Sequence, residues 1–146
     1  MFLRFDGEWL LCDDGISRPI MRCEIRGEDN RWRAAEFLLD TGADRTVFSE
    51  SVLAAMDLNT LPPGGEIRGV GGIAATVALK TQIRMSCEDN AKVIFRGEFV
   101  GCRDKELLDM SVLGRDVTQL FAVIVDRPGN RVCLVGHGHG YSLQKQ

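Results

Sequence analysis

Hydrophobic and polar positions alternate along much of the chain. Val77, Leu79, Ile83 and Met85 share one parity, while Lys80, Gln82 and Arg84 take the other. A period of two is that of a strand with one face in the core and one in water. Residues 92–100 read in the same way. Residues 20–25 predict a strand, the polar residues 26–30 a turn, and residues 33–39 the returning strand. Further on, FAVIVD and RVCLV flank RPGN, where Pro128, Gly129 and Asn130 supply turn chemistry for a hairpin. Helical signals are confined to two short places. Ser49 stands as an N-cap before residues 51–56, and residues 115–120 follow Gly114. The sum is a mostly β domain of many short strands, a small barrel or sandwich with one or two short helices. Residues 1–146 suit one domain, with residues 1–17 as an extra strand or arm and residues 137–146 as a flexible tail.

Composition narrows the function classes. Apolar residues make up 45% of the chain, enough for a core. The net charge is −3 and the basic residues are scattered, so neither nucleic acid nor a membrane surface is an expected partner. No apolar run approaches the length of a membrane span. The opening MFLRFDGEWLL is interrupted by Arg4, Asp6 and Glu8, which is not the core of a signal peptide. The five cysteines, Cys12, Cys23, Cys87, Cys102 and Cys133, are odd in number and lack metal-ligand spacing. They read as thiols of a reducing compartment, so a cytoplasmic location is expected, with no metal and no cofactor. His137 and His139 could hint at a ligand pair, but no further ligand lies near them in the Gly-rich tail. The two histidines also leave no Ser-His-Asp or Cys-His arrangement to argue.

Candidate chemistry centres on FLLDTGADRTVF, residues 37–48. Asp40 followed by Thr41 and Gly42 can be a plain turn. The apolar residues before it, however, bring the acid near the core, where an ionised carboxylate needs hydrogen bonds or shifts its pKa upward. Gly42 leaves room for backbone or a ligand to approach. A second glycine-rich stretch, Ile67-Arg68-Gly69-Val70-Gly71-Gly72-Ile73, follows Pro62-Pro63-Gly64-Gly65. It reads either as a loose loop or as a hairpin tip able to bend over a cleft. It is no phosphate loop, because no Lys-Ser/Thr follows and no helix opens there.

Three motifs in order, the loop at residues 39–44, the glycine-rich stretch, and Val112-Leu113-Gly114-Arg115-Asp116, resemble those of the retropepsins. These are the single-domain aspartic proteases of retroviruses and their cellular and bacterial relatives. The resemblance spans about residues 18–135. It implies a small closed β-barrel of the retropepsin type. It also implies that Asp40 is the catalytic carboxylate in an active-site loop with Thr41, Gly42, Ala43 and Asp44. Thr41 would pass its hydroxyl to a partner subunit, Gly42 would contact substrate backbone, and Asp44 would pair with Arg115. That pairing is also sensible chemistry, since the guanidinium fork suits a carboxylate and a paired buried charge is tolerable where a lone one is costly. Left unpaired, the two would be a solvated turn and a solvated helix start. Gly69, Val70, Gly71, Gly72 and Ile73 would form a flap over an extended peptide, with arms at residues 66–69 and 73–79.

Hydrolysis of a peptide without a metal or a nucleophilic side chain needs one carboxylate to activate water and one carboxylic acid to polarise the carbonyl. In aspartic proteases two such groups share one proton, because both cannot easily ionise side by side. Only one Asp-Thr-Gly is present here: Asp6-Gly7 and Asp14-Gly15 lack the hydroxyl residue, and Asp126 falls at a hairpin turn. The second acid is therefore expected from Asp40 of another copy across a two-fold axis. The expectation is an obligate homodimer cleaving a peptide or protein substrate. Compact viral members seal such dimers with interleaved terminal strands, whereas residues 138–146 here are polar. Two other readings stand beside this one: a catalytically weak or inactive retropepsin-fold module for peptide binding or dimerisation, and an unrelated small barrel with a turn at Asp40.

Overall fold

The computed structural model describes residues 3–56, 61–69, 72–87 and 89–136, with backbone alone at 61–69 and 72–75. The elements run β1 (Arg4–Asp6), β2 (Glu8–Leu11), β3 (Ser17–Arg26), β4 (Trp32–Leu39), β5 (Val47–Ser49) and α1 (Glu50–Met56). They continue with β6 (Leu61–Gly69), β7 (Gly72–Ser86), β8 (Lys92–Cys102), β9 (Ser111–Leu113), α2 (Arg115–Thr118), β10 (Ala122–Asp126) and β11 (Arg131–Val135). The larger sheet has the order β2-β3-β4-β9-β5-β8-β7-β6, and an additional β3–β7 pairing closes β3, β4, β9, β5, β8 and β7 into a six-stranded barrel. The strands β1, β11 and β10 form a separate sheet in that order. The mostly β, closed-barrel fold with two short helices is the one the sequence predicts. No helix among the described residues is long and apolar enough to cross a membrane.

Closure depends on a short seam. Glu24 pairs with Arg84 and Ile25 with Ile83 in antiparallel register. Outside, the Arg84 guanidinium donates to both Glu24 oxygens at 3.0 Å and lies 4.2 Å from the Trp32 ring centroid. The Thr81 hydroxyl donates to the Arg26 carbonyl at 2.7 Å. These contacts hold the planar guanidinium from both sides, by a bidentate carboxylate and by an aromatic face. Inside, Ile25 and Ile83 are fully buried. The centre of the barrel is aromatic: Phe48 meets Phe37 edge-on at 5.5 Å and stacks on Phe99 at 5.8 Å. Such pairs add to area burial because ring edges and faces carry opposite partial charge.

Alternation predicts β7 well at one end and less well at the other. Leu79, Ile83 and Met85 are buried and Lys80 is exposed, but Thr76 and Ala78 are buried too. That stretch pairs with the end of β8, where Gly101 packs under α1. A Cβ on Gly101 would lie 2.9 Å from Leu53 Cδ1 and 3.0 Å from Val77 Cγ2. Residues 62–65, which precede the glycine-rich stretch, belong to β6, with a register shift between Leu61 and Gly65 that accommodates the prolines. The first residues form two strands: β1 pairs with β11 and β2 with β3. The turn between β3 and β4 closes with Gly27 donating to the Arg31 carbonyl at 2.9 Å, and Asn30 adopts a left-handed φ of 63°. The predicted hairpin of β10 and β11 forms around the turn at residues 127–130. Residues 137–146, with both histidines, lie outside the described residues. All five cysteines are free thiols, and burial pushes Cys23 up to about 12.

Phe48→Ala removes the ring shared by both aromatic pairs and should cost about 3–5 kcal/mol in urea unfolding. At the seam, the Arg84 hydrogen bonds hold the Glu24 carboxyl below its ordinary value. The contribution of that pair is therefore complete above the usual Glu range and lost as pH falls through the lowered folded value. Glu24→Gln should lower stability by about 1 kcal/mol at neutral pH. Its gap from the native protein should vanish in strong acid, as chemical denaturation at the two pH values will show.

Candidate active site

The two sequence motifs meet because their strands run parallel. Phe37 pairs with Ser111, Leu38 with Val112 and Leu39 with Leu113, so β4 and β9 end side by side. Asp40 leaves β4 and donates its backbone N–H to the Leu113 carbonyl at 3.2 Å. Its carboxylate folds over the next residues: Oδ1 accepts from the Gly42 N–H at 2.9 Å, and Ala43 N–H reaches the Asp40 carbonyl at 3.3 Å. This is a tight Asx-type turn. A Cβ at Gly42 would crowd Asp40 Oδ1 at 3.1 Å. Asp40 is half-buried, while Thr41 and Gly42 are exposed, so the acid stands in the surface with the bare backbone of Gly42 beside it.

The rest of the loop caps α2. The N–H groups of Arg115 and Asp116 donate to the carbonyls of Ala43 and Asp44 at 2.8 and 3.3 Å. A helix start leaves such donors without intrahelical partners, and here the loop accepts them. The Arg115 guanidinium donates from Nη2 to the Asp44 carboxylate and from Nη1 to the Thr41 carbonyl at 3.4 Å. Asp44 and Arg115 thus pair, but at the surface of the protomer, their side chains 82% and 52% exposed. The buried pair envisaged from sequence does not exist in a single chain. Solvent screens this one, so in a single chain it contributes at most about 1 kcal/mol.

A stronger tie lies beneath it, and sequence reasoning missed it. Thr46, fully buried, donates its backbone N–H to both oxygens of Asp116 at 3.0 Å and its hydroxyl to Oδ1 at 2.7 Å. The same hydroxyl accepts the Gly114 N–H at 3.1 Å. Gly114 is required by space, since a Cβ there would lie 2.3 Å from the Arg45 carbonyl carbon. One residue triplet therefore fixes the end of the loop to the start of α2. A second tie follows, where the Ser49 N–H donates to Ser111 Oγ at 2.9 Å and both serines are buried. The available signal was a hydroxyl residue directly before the apolar run of β5. A buried polar side chain there requires a partner.

The glycine-rich stretch forms a hairpin end. Arg68 pairs with Ile73 and Gly69 with Gly72, joining β6 to β7. Val70 and Gly71 lie outside the described residues.

A family model described as retroviral aspartyl protease matches residues 16–125. Among known structures, the EIAV protease complexed with an inhibitor is 24% identical, covers 70% of this chain and 86% of its own, and superposes with a TM-score of 0.51. A retropepsin-like aspartic protease from Rickettsia conorii is 16% identical, with 93% and 91% coverage and a TM-score of 0.51. At these identities the two structures speak to the fold alone. No curated protein sequence matches the chain.

Thr46→Val deletes one donor to Asp116 and the hydroxyl that accepts the Gly114 N–H, and should destabilise by about 1–3 kcal/mol. Thr46→Ser keeps the hydroxyl and should recover most of that loss. Urea unfolding of both variants, with amide exchange at Gly114, separates the hydrogen bonds from the packing of the methyl group.

Proposed function

Since the chain belongs to the retroviral aspartyl protease family, we propose that it is an aspartic endopeptidase working as a homodimer, each copy supplying Asp40 to a shared dyad. The observation that supports this most is the convergence of the loop at residues 40–44 with Gly114, Arg115 and Asp116 at the adjacent ends of β4 and β9. That convergence braces one carboxylate at the surface, beside a glycine, on backbone that other residues hold still. A pre-positioned acid costs no reorganisation when the reaction begins.

In this reading one Asp40 is ionised and the other protonated, sharing a single proton. Water attacks the carbonyl carbon as its proton passes to the ionised carboxylate, and the carboxylic acid gives its proton to the carbonyl oxygen. The tetrahedral diol then collapses: the protonated carboxyl gives its proton to the amide nitrogen, the ionised one takes a proton from a diol hydroxyl, the C–N bond breaks, and acid and amine leave with the dyad's single proton restored. Gly42, without a side chain, lets substrate backbone lie against the loop. The exposed Thr41 hydroxyl reaches toward the second copy. The hairpin end at Gly69, Val70, Gly71, Gly72 and Ile73 serves as the flap over an extended peptide, presenting backbone groups to it. Free thiols throughout suit a cytoplasmic setting.

Asp40→Asn conserves shape and removes the acid. Cleavage of a peptide library should fall by about 10²–10⁴-fold, with circular dichroism and oligomeric state unchanged. Native activity should decline on both sides of a pH window, because a dyad works between its two macroscopic pKa values. Equal cleavage by both proteins would remove Asp40 from the chemistry. A native protein that binds peptides without cutting them would be a binding module on the same fold.

A further inference from the structure

Basic residues that are scattered along the chain are gathered by the barrel. The register of four strands, β4, β3, β7 and β8, sets two adjacent rows across its outer face. One row runs Ala34, Glu24, Arg84 and Ile94. In the next, Trp32 pairs with Arg26 and Gln82 with Arg96, and the Thr81 hydroxyl on the Arg26 carbonyl keeps β3 and β7 adjacent there. Both rows face away from Ile25 and Ile83, which point into the core. Three guanidiniums thus meet one acid. Glu24 answers Arg84 with both oxygens at 3.0 Å. The Arg26 and Arg96 side chains have no hydrogen-bond or ion-pair partner among the described residues. Arg96 is exposed, whereas Arg26 is half-buried and its Nε is buried outright without an acceptor. A donor in that position has lost water and gained no partner. An acceptor arriving from outside would complete it.

We infer that this row is a docking surface for an acidic polypeptide segment, which lies in extended form across Arg26, Gln82 and Arg96. Neighbouring strands stand about 4.8 Å apart, so Arg26 and Arg96, with β7 between them, are about 10 Å apart at the backbone. Carboxylates on alternate residues of an extended chain recur about every 7 Å, and the long arginine side chains span the difference. Each guanidinium offers a planar fork that a carboxylate fills. Gln82, between them, offers both a donor and an acceptor to the segment's backbone. One small anion held at Arg26 would leave Arg96 unanswered across that distance. Nucleic acid would need open rings for its bases, and the ring of this row, Trp32, already carries Arg84 at 4.2 Å from its centroid. The chain as a whole has a net charge of −3, so the attraction is local to this face and recognition is by contact. Trp32 opens β4 and Asp40 follows its end, roughly 25 Å away along the strand. The surface is therefore separate from the Asp40 loop and does not rest on the cleavage reading.

Fluorescence anisotropy of a dye-labelled oligo-aspartate peptide tests this with native protein, Arg26→Met, Arg96→Gln and Arg131→Gln. Arg131 is exposed on β11 and serves as the charge-matched control. Native and control proteins should bind the peptide, and added salt should weaken the complex. Arg26→Met and Arg96→Gln should each weaken binding at least about tenfold, or about 1.4 kcal/mol. Methionine keeps much of the apolar stem of arginine and carries no donor to orphan. Urea stability of free Arg26→Met should therefore equal or exceed that of native protein, whereas a merely structural Arg26 would show a loss. Asp40→Asn should bind the peptide as native protein does, so failure of this surface and failure of the cleavage reading are told apart. No binding by native protein, or equal weakening in Arg131→Gln, would overturn the proposal. So would displacement of the peptide by inorganic phosphate at matched ionic strength, which would mark a small-anion site. Tighter binding of a single-stranded oligonucleotide of equal charge would overturn it as well.

Discussion

The parallel register of β4 with β9 governs the candidate site. Neither strand carries a reactive group, yet together they bring the residues after Leu39 and the residues after Leu113 to one place. Once there, the loop and the helix start satisfy each other. Carbonyls of Ala43 and Asp44 take the first N–H groups of α2, and Thr46 links Asp116 to Gly114. Polar backbone that would otherwise be left open at a strand end and at a helix end is paired internally. Loop and helix start are thus held by the same hydrogen bonds: the carbonyls of one cap the N–H groups of the other.

The charges divide into two kinds. Glu24 and Arg84 sit at the barrel seam, partly shielded and stacked on Trp32, where they reinforce a pairing of only two residues. Asp44 and Arg115 lie open to water in the protomer. A second copy placed over the loop would remove that water, strengthen the pair and raise the cost of breaking it. In the proposed homodimer the exposed pair would gain a physical role that it does not have in one chain.

Much of the barrel was legible from period and punctuation. The alternation of residues 77–85, the hairpin around RPGN and the strand pair flanking residues 26–30 are local signals, and all three appear as strands and turns. What alternation missed has a common cause. Thr76, Ala78 and the residues near Gly101 are buried on both faces by elements that arrive from elsewhere, α1 among them. Strand β6 runs through two prolines because an outer strand with a register shift tolerates missing donors. Nothing in the local sequence distinguishes that case from a loop.

The site divides along the same line. Sequence by itself determined the acid at the end of an apolar strand, the glycine beside it and the order of the three motifs, because these are properties of residues next to one another. Only the tertiary structure decided that Thr46 and Asp116 form the tie beneath the loop and that Asp44 and Arg115 pair at the surface. Hydrogen bonds across about seventy residues depend on which strands become neighbours. That choice is made by packing of the whole barrel, where side chains distant in sequence compete for the same enclosed volume.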